Sequence, residues 1–194
     1  MSLVTGSDRP SRPGVKLTYD DFVLFPDDGK RHELIDGEHY VTTSPNLKHQ
    51  AVSANLLGAI WAYLRQNPLG KVYGAPLDVV FSHFDVVEPD LLYVSEARRA
   101  VLTAKNVQGA PDLFVEIGSP STRRRDEKLK HQLYEGFDVT EYWVVDPDID
   151  VVRVYRRVEG KYQRAHELSL DHGDVLTTPL LPSLELPLSE IFAE

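Results

Sequence analysis

Acidic residues interrupt two apolar stretches that otherwise have the composition of buried β-strands. The first stretch is 88–94 (EPDLLYV) and the second is 112–117 (DLFVEI). A carboxylate inside an apolar strand is costly when it is desolvated alone, so it normally has a partner, a metal ion or access to water. The segment 123–130 (RRRDEKLK) follows and can supply cationic partners. Any fold for this chain must therefore satisfy these buried acids.

Length and composition predict one globular domain. The chain has 194 residues, of which 42% are hydrophobic, enough for a single core over residues 17–194 behind a flexible N-terminal arm, 1–16. It has no cysteine, which excludes disulfides, thiolate zinc sites and cysteine nucleophiles. No apolar run approaches the about 20 residues that span a bilayer, so we expect a cytoplasmic protein without a membrane partner.

The charge is distributed unevenly. The chain carries a net charge of −9, which opposes a general role in coating nucleic acid. Residues 96–131, however, contain eight basic and five acidic side chains, a local net charge of +3. A nucleic-acid site confined to this region is compatible with the acidic total.

The order of predicted elements indicates an α/β (α+β) fold with a mixed central sheet. A hairpin is predicted around Asp36-Gly37, because both residues tolerate positive φ. The predicted helices are 18–25, 46–66, 125–136 and 188–192, and the predicted strands are 31–35, 38–42, 71–81, 86–94, 112–117, 141–145, 151–157 and 161–168. The order from residue 46 onward is helix, three strands, helix, strand. Such a crossover brings strand-end carboxylates to one edge of the sheet.

Strand spacing separates the acids into two groups. Asp112 and Glu116 lie on the same face of one strand but about 13 Å apart, so they cannot share a metal ion. Asp90 and Glu116 can lie about 5 Å apart if their strands are neighbours. Such a pair can bind Mg²⁺, which needs one or two carboxylates plus water. Alternatively, Asp90 is a turn acid after Pro89, and Asp112 is structural.

Helical angle separates the two lysines of the basic segment. Lys128 and Lys130 point about 160° apart, and Lys130 precedes Tyr134 by four residues, beside the core face. Lys128 is expected to point to solvent. An ion pair between Asp126 and Lys130 is the competing interpretation. The histidines show no paired-ligand spacing and neither Ser119 nor Ser121 lies in a GxSxG motif, so a histidine zinc site and a serine hydrolase are disfavoured.

The sequence resembles the Uma-type family of restriction endonuclease-like proteins, members of the PD-(D/E)xK nuclease superfamily. The resemblance runs from about residue 19 to residue 192. It rests on the following pieces: 33–38 (ELIDGE), Ser44-Pro45 with His49, 89–91 (PDL), 109–117 (GAPDLFVEI) with 119–122 (SPST), Asp126 with Lys130 and Tyr134, and 141–147 (EYWVVDP).

This resemblance implies a restriction endonuclease-like core and a metal-dependent nuclease site. Asp90, Glu116 and the carbonyl of Ile117 would hold Mg²⁺ or Mn²⁺, and Lys130 would supply positive charge. Possible accessory residues are Glu33, His49 and Tyr134, although Glu33 can equally form a hairpin salt bridge and His49 a helix-start contact. Apart from the resemblance, Arg123, Arg124 and Arg125 are candidate contacts to nucleic acid, with a solvated helix start as the alternative.

The resemblance departs from the wider superfamily at one position. The lysine expected two residues after the glutamate is Gly118 here, so Lys130 must reach the site from the following helix. Three functions remain open. They are a metal-dependent nuclease, with DNA as the expected substrate, an inactive nucleic-acid- or protein-binding module on the same fold, and hydrolysis of a different phosphorylated substrate. A homodimer is also expected, with the apolar strand 142–145 extending a sheet or supporting an interface.

Overall fold

The computed structural model describes residues 15–42, 44–118, 126–163 and 166–193, with the backbone alone at 126 and 127. The helices are α1 (Tyr19–Phe22), α2 (Leu47–Gln66), α3 (His131–Gly136) and α4 (Leu188–Ile191). Shorter helical turns cover Glu96–Val101, Asp126–Lys130 and Leu170–His172. The strands are β1 (Arg31–Ile35), β2 (Glu38–Thr42), β3 (Gly70–Gly74), β4 (Val79–Ser82), β5 (Asp85–Val87), β6 (Leu91–Ser95), β7 (Val107–Gln108), β8 (Leu113–Ile117), β9 (Glu141–Asp146), β10 (Val151–Val158), β11 (Lys161–Tyr162), β12 (His166–Ser169), β13 (Val175–Thr177) and β14 (Glu185–Pro187).

Local sequence signals account for the first elements. Thr18 caps α1 and forms a capping box with Asp21. Asp36 and Gly37 both have positive φ in the β1–β2 turn, which confirms the predicted hairpin. The side chain of Asn46 accepts from the amide of His49 and starts α2.

The central sheet is mixed, as predicted. Its strand order is β11-β10-β9-β8-β6-β3, and β12 also pairs with β10. Strands β8 and β9 are parallel, whereas β6 and β3 run antiparallel to their neighbours. A second sheet has the order β2-β1-β5-β4-β7, and β13 pairs with β14. The N-terminal hairpin thus belongs to a sheet beside the central one.

Hydrophobic cores lie on both faces of the central sheet. Leu113, Val115 and Ile117 of β8 pack in one core with the apolar face of α2. Phe114 points the other way, into a core that includes Tyr134 of α3. Because successive strand residues alternate between faces, Glu116 lies on the Phe114 side. Alternation therefore directs this acid towards α3.

Three predicted strands are each divided in two. Residues 71–81 leave one sheet for the other around Gly74 and the cis Ala75–Pro76 bond, giving β3 and β4. Residues 86–94 divide at Glu88-Pro89-Asp90 into β5 and β6, because proline cannot donate to a ladder. Residues 161–168 form β11 and β12. The β13–β14 pair was not predicted.

The strand proposed for dimer formation is not at an edge. Residues 142–145 belong to β9, which is hydrogen-bonded to β8 on one side and β10 on the other, and all its side chains are buried. A second chain cannot extend the sheet there. That part of the sequence interpretation is wrong.

Asp112 fixes the start of β8 through a hydrogen bond and an ion pair. Its Oδ2 accepts from the amide of Ser95 at 2.7 Å, and its Oδ1 lies 3.3 Å from Nε of Arg98. Arg98 in turn donates to the carbonyls of Ala110 and Pro111. These contacts fit a structural role for Asp112.

We expect Asp112→Ala to lower the free energy of unfolding by about 1–3 kcal/mol, because the partly buried Ser95 amide loses its acceptor. Urea unfolding measures the change. Asp171→Ala, at an exposed aspartate, is the control and should change stability by less than about 0.5 kcal/mol. Equal stability of the two variants would contradict the structural role.

Candidate functional site

Two of the predicted acids come together where β6 begins and β8 ends. The pairing of Leu91 with Val115 makes Asp90 and Glu116 neighbours at the next position along the two antiparallel strands. Asp90 and Glu116 are 3% and 4% exposed. The chain thus buries two adjacent carboxylates, which require compensation.

Lys130 provides one compensating charge. Its Nζ lies 2.9 Å from Oε1 of Glu116 and 2.9 Å from Oε1 of Glu33. Tyr134, one helical turn later, donates to the same Glu116 oxygen at 2.6 Å. Lys130 is buried whereas Lys128 is exposed, as helical angle predicted. The ammonium joins the hairpin, β8 and the helical segment that ends in α3.

Asp90 is held on both oxygens. Oδ1 is 2.6 Å from Nη1 of Arg31, while Oδ2 accepts from the amide of Ile117 at 2.7 Å and lies 3.2 Å from Nε2 of His49. Burial raises the pKa of Asp90, but the hydrogen bond and charge of His49, the charge of Arg31 and the Ile117 amide outweigh burial. Its pKa therefore lies below the usual value, and the carboxylate is ionised.

Burial dominates the titration of Tyr134. It raises the pKa of the phenol well above the usual value, and the charges of Glu116 and Glu33 raise it further. Tyr134 is therefore a hydrogen-bond donor to Glu116 at neutral pH, not a phenolate base.

Glu33 and Glu88 complete the group of acids. Oε1 of Glu33 accepts from the amide of Glu88 at 3.0 Å, whereas its Oε2 is buried with no hydrogen-bond partner among the described residues. Burial raises the pKa of Glu88 to about 7, and the nearby charge of Arg31 opposes the rise. We call Glu33, Glu88, Asp90 and Glu116 the carboxylate cluster.

The carboxylate cluster has the chemistry of a cation site. Its four acids face two permanent cations, Arg31 and Lys130, which leaves an excess of negative charge when all four are ionised. Oxygen ligands suit Mg²⁺ and Mn²⁺, and Oε2 of Glu33, which has no hydrogen-bond partner in the part of the chain that the structure describes, is a further donor. Among the described residues, no three acidic or histidine side chains are already arranged around a metal position. The residues can hold a divalent cation if Arg31 or Lys130 moves away from the carboxylate that it contacts.

Glu141 shows what a purely structural buried acid looks like in this chain. Its Oε1 accepts from Nε1 of Trp143 at 2.7 Å, and its Oε2 accepts from Oγ1 of Thr178 at 2.8 Å. Nε of Arg156 also lies 3.4 Å from Oε1, so two neutral donors and one cation serve this acid. In the carboxylate cluster, by contrast, several acids share cations.

The structure places most of the predicted site residues in one location. Asp90, Glu116, Ile117, Lys130 and Tyr134 converge, and Glu33 and His49 contact them directly. Arg123, Arg124 and Arg125 lie outside the described residues, as does the side chain of Asp126.

Sequence reasoning missed Arg31 and Glu88. Strand alternation places Arg31 on the same face as Glu33, and Glu88 stands two residues before Asp90. Either spacing could have suggested membership of the site.

The fold is that of a restriction endonuclease-like protein. Residues 19–189 match the family model Uma2, described as "Putative restriction endonuclease", and the chain belongs to this family. The family resemblance read from the sequence is thereby confirmed.

Solved structures support the same fold. The chain resembles a crystal structure from Anabaena variabilis ATCC 29413 described as "a putative nuclease belonging to DUF820", with 20% identity and a TM-score of 0.77 over 91% of this chain and 98% of the other. No curated protein matches the sequence.

Among the described residues, no helix is long and apolar enough to cross a membrane.

We expect Glu88→Gln to change the pH dependence of stability. Because folding raises the Glu88 pKa from 4.5 to about 7, the folded state holds this proton more tightly, and the stability it contributes is lost as pH rises through this range. The stability of Glu88→Gln relative to the wild type should therefore increase between pH 5 and pH 8. Urea unfolding at both pH values measures this, and a constant difference would contradict the raised pKa.

Lys130→Met should destabilise the protein by about 3–5 kcal/mol at pH 7, because Glu33 and Glu116 lose a shared buried cation. Lys128→Met, two residues away and exposed, is the matched control. If both variants unfold at the same urea concentration, Lys130 does not stabilise the cluster.

Proposed function

We propose that this protein is a metal-dependent nuclease that hydrolyses phosphodiester bonds, with DNA as the expected substrate. The observation that supports the proposal most is the convergence of Asp90, Glu116 and Lys130 in one buried cluster. Membership of a restriction endonuclease family agrees with it.

In this proposal Asp90, Glu116 and the carbonyl of Ile117 hold Mg²⁺ or Mn²⁺. The Ile117 amide donates to Asp90, whereas the next amide, Gly118, donates to Val145 of β9. Because backbone groups of successive strand residues point to opposite sides, the Ile117 carbonyl faces the Asp90 side. When bound, the ion polarises the phosphodiester and acidifies a water molecule.

The side chains around the acids then orient the reacting groups. Lys130 is fixed by Glu33 and Glu116, so its ammonium lies where negative charge develops on the phosphate or where a water must be held. Tyr134 keeps Glu116 in position, and His49 keeps Asp90 in position. Lys130 takes the place of the strand lysine that the wider superfamily has at the position of Gly118.

Arg123, Arg124 and Arg125 are proposed to contact the phosphate backbone of the substrate. They follow β8 in the chain, after the five intervening residues 118–122. Arginine suits this role because its planar guanidinium binds phosphate in a bidentate manner.

A non-catalytic binding module is the second candidate function. Lys130 contacts two carboxylates at once, and Arg31 occupies Asp90, so the acids are already paired without a metal. A cluster stabilised in this way can preserve the fold without turnover.

A cleavage assay with Mg²⁺ or Mn²⁺ on single- and double-stranded DNA and RNA separates the two functions. We expect metal-dependent cleavage that falls by about 10²-fold or more in Asp90→Asn, Glu116→Gln and Lys130→Ala. Lys128→Ala should cleave like the wild type. Full activity in Asp90→Asn would refute the proposed site, and metal binding without cleavage would favour the binding module.

A further inference from the structure

We propose that Arg31 is a displaceable counter-ion of Asp90. A divalent cation must replace Arg31 on Asp90, and Arg31 then binds a phosphate of the nucleic acid. This inference rests on the proposed metal site and adds a step, the displacement of Arg31, that must occur before the metal site is occupied. It concerns a residue outside the set of metal ligands.

The two oxygens of Asp90 have different roles. Oδ2 already has two partners, the Ile117 amide and Nε2 of His49. Oδ1 has Arg31 as its partner among the described residues, at 2.6 Å. A carboxylate oxygen with two donors has both lone pairs occupied, so an incoming cation binds Oδ1. Arg31 and the cation therefore compete for one atom.

Arg31 can leave its carboxylate partner more easily than Lys130 can leave its two partners. The Arg31 side chain is 22% exposed, whereas that of Lys130 is 4% exposed and contacts two carboxylates. Arg31 also stands at the first position of β1, and its hydrogen bond to Asp90 uses one of five N–H donors. Among the described residues, rotation of its long side chain towards solvent breaks the ion pair with Asp90 and moves the guanidinium away from the charges of Glu116 and Glu88.

The displaced guanidinium of Arg31 can bind a phosphate of the substrate. A divalent ion on Asp90 repels it, and its planar fork matches the two oxygens of a phosphate. Because its backbone is fixed in the β1–β2 hairpin, the side chain stays beside the cluster after it leaves Asp90. Arg31 then offsets substrate charge near the metal.

Mn²⁺ binding without substrate tests the competition, measured from the electron paramagnetic resonance signal of free Mn²⁺. We expect Arg31→Met to bind Mn²⁺ about tenfold more tightly than the wild type, because the competing cation is gone. Arg153→Met is the matched control: Arg153 has the same 22% exposure, pairs with Glu167 on β12 and carries the same charge. It should bind Mn²⁺ like the wild type.

The outcomes separate this inference from the proposed function. Unchanged or weaker binding in a folded Arg31→Met, when Asp90→Asn abolishes binding, overturns the inference and leaves the metal site intact. Absence of Mn²⁺ binding in both wild type and Arg31→Met overturns the metal site and the inference together. Circular dichroism of each variant verifies the fold.

Oligonucleotide affinity tests the second role of Arg31, with Ca²⁺ as the ion. Fluorescence anisotropy should show that Arg31→Met weakens binding in Ca²⁺ but leaves it unchanged in EDTA, where Arg31 remains on Asp90. Equal affinities for wild type and Arg31→Met in Ca²⁺ would overturn the phosphate contact.

Discussion

The shared ion pairs of Lys130 are the interaction on which the arrangement of the site depends. One buried ammonium contacts Glu33 of the N-terminal hairpin and Glu116 of the central sheet. It therefore holds three separate parts of the chain at one point. Without a cation there, Glu33 and Glu116 would face each other in a buried space, which is strongly unfavourable. Fold and site are thus stabilised by the same contacts.

The central sheet explains why these residues meet. The crossover from β8 to β9 places the helical segment that ends in α3 over one face of the sheet, and alternation along β8 directs Glu116 to that face. The register of β6 against β8 brings Asp90 alongside. Strand register and alternation therefore bring the two acids together on the face that the helical segment covers.

Sequence reasoning predicted this convergence but not the full set of charges. Strand spacing and helical angle separated Glu116 from Asp112 and Lys130 from Lys128, since these periodicities are properties of a single element. Strand alternation can place Arg31 on the face of Glu33, but its contact with Asp90 depends on how the hairpin sheet meets the central sheet. The division at Glu88-Pro89-Asp90 was missed for a related reason, because an apolar stretch has the same composition whether it pairs in one sheet or two.

The most direct test of the proposed metal centre is the anomalous scattering of Mn²⁺ in a crystal of the protein soaked with the ion. The proposal predicts one strong peak within about 2.5 Å of both Asp90 and Glu116 oxygens, with the Ile117 carbonyl as a further ligand. A peak elsewhere, or a protein saturated with Mn²⁺ in solution but without a peak between these two carboxylates, would contradict it.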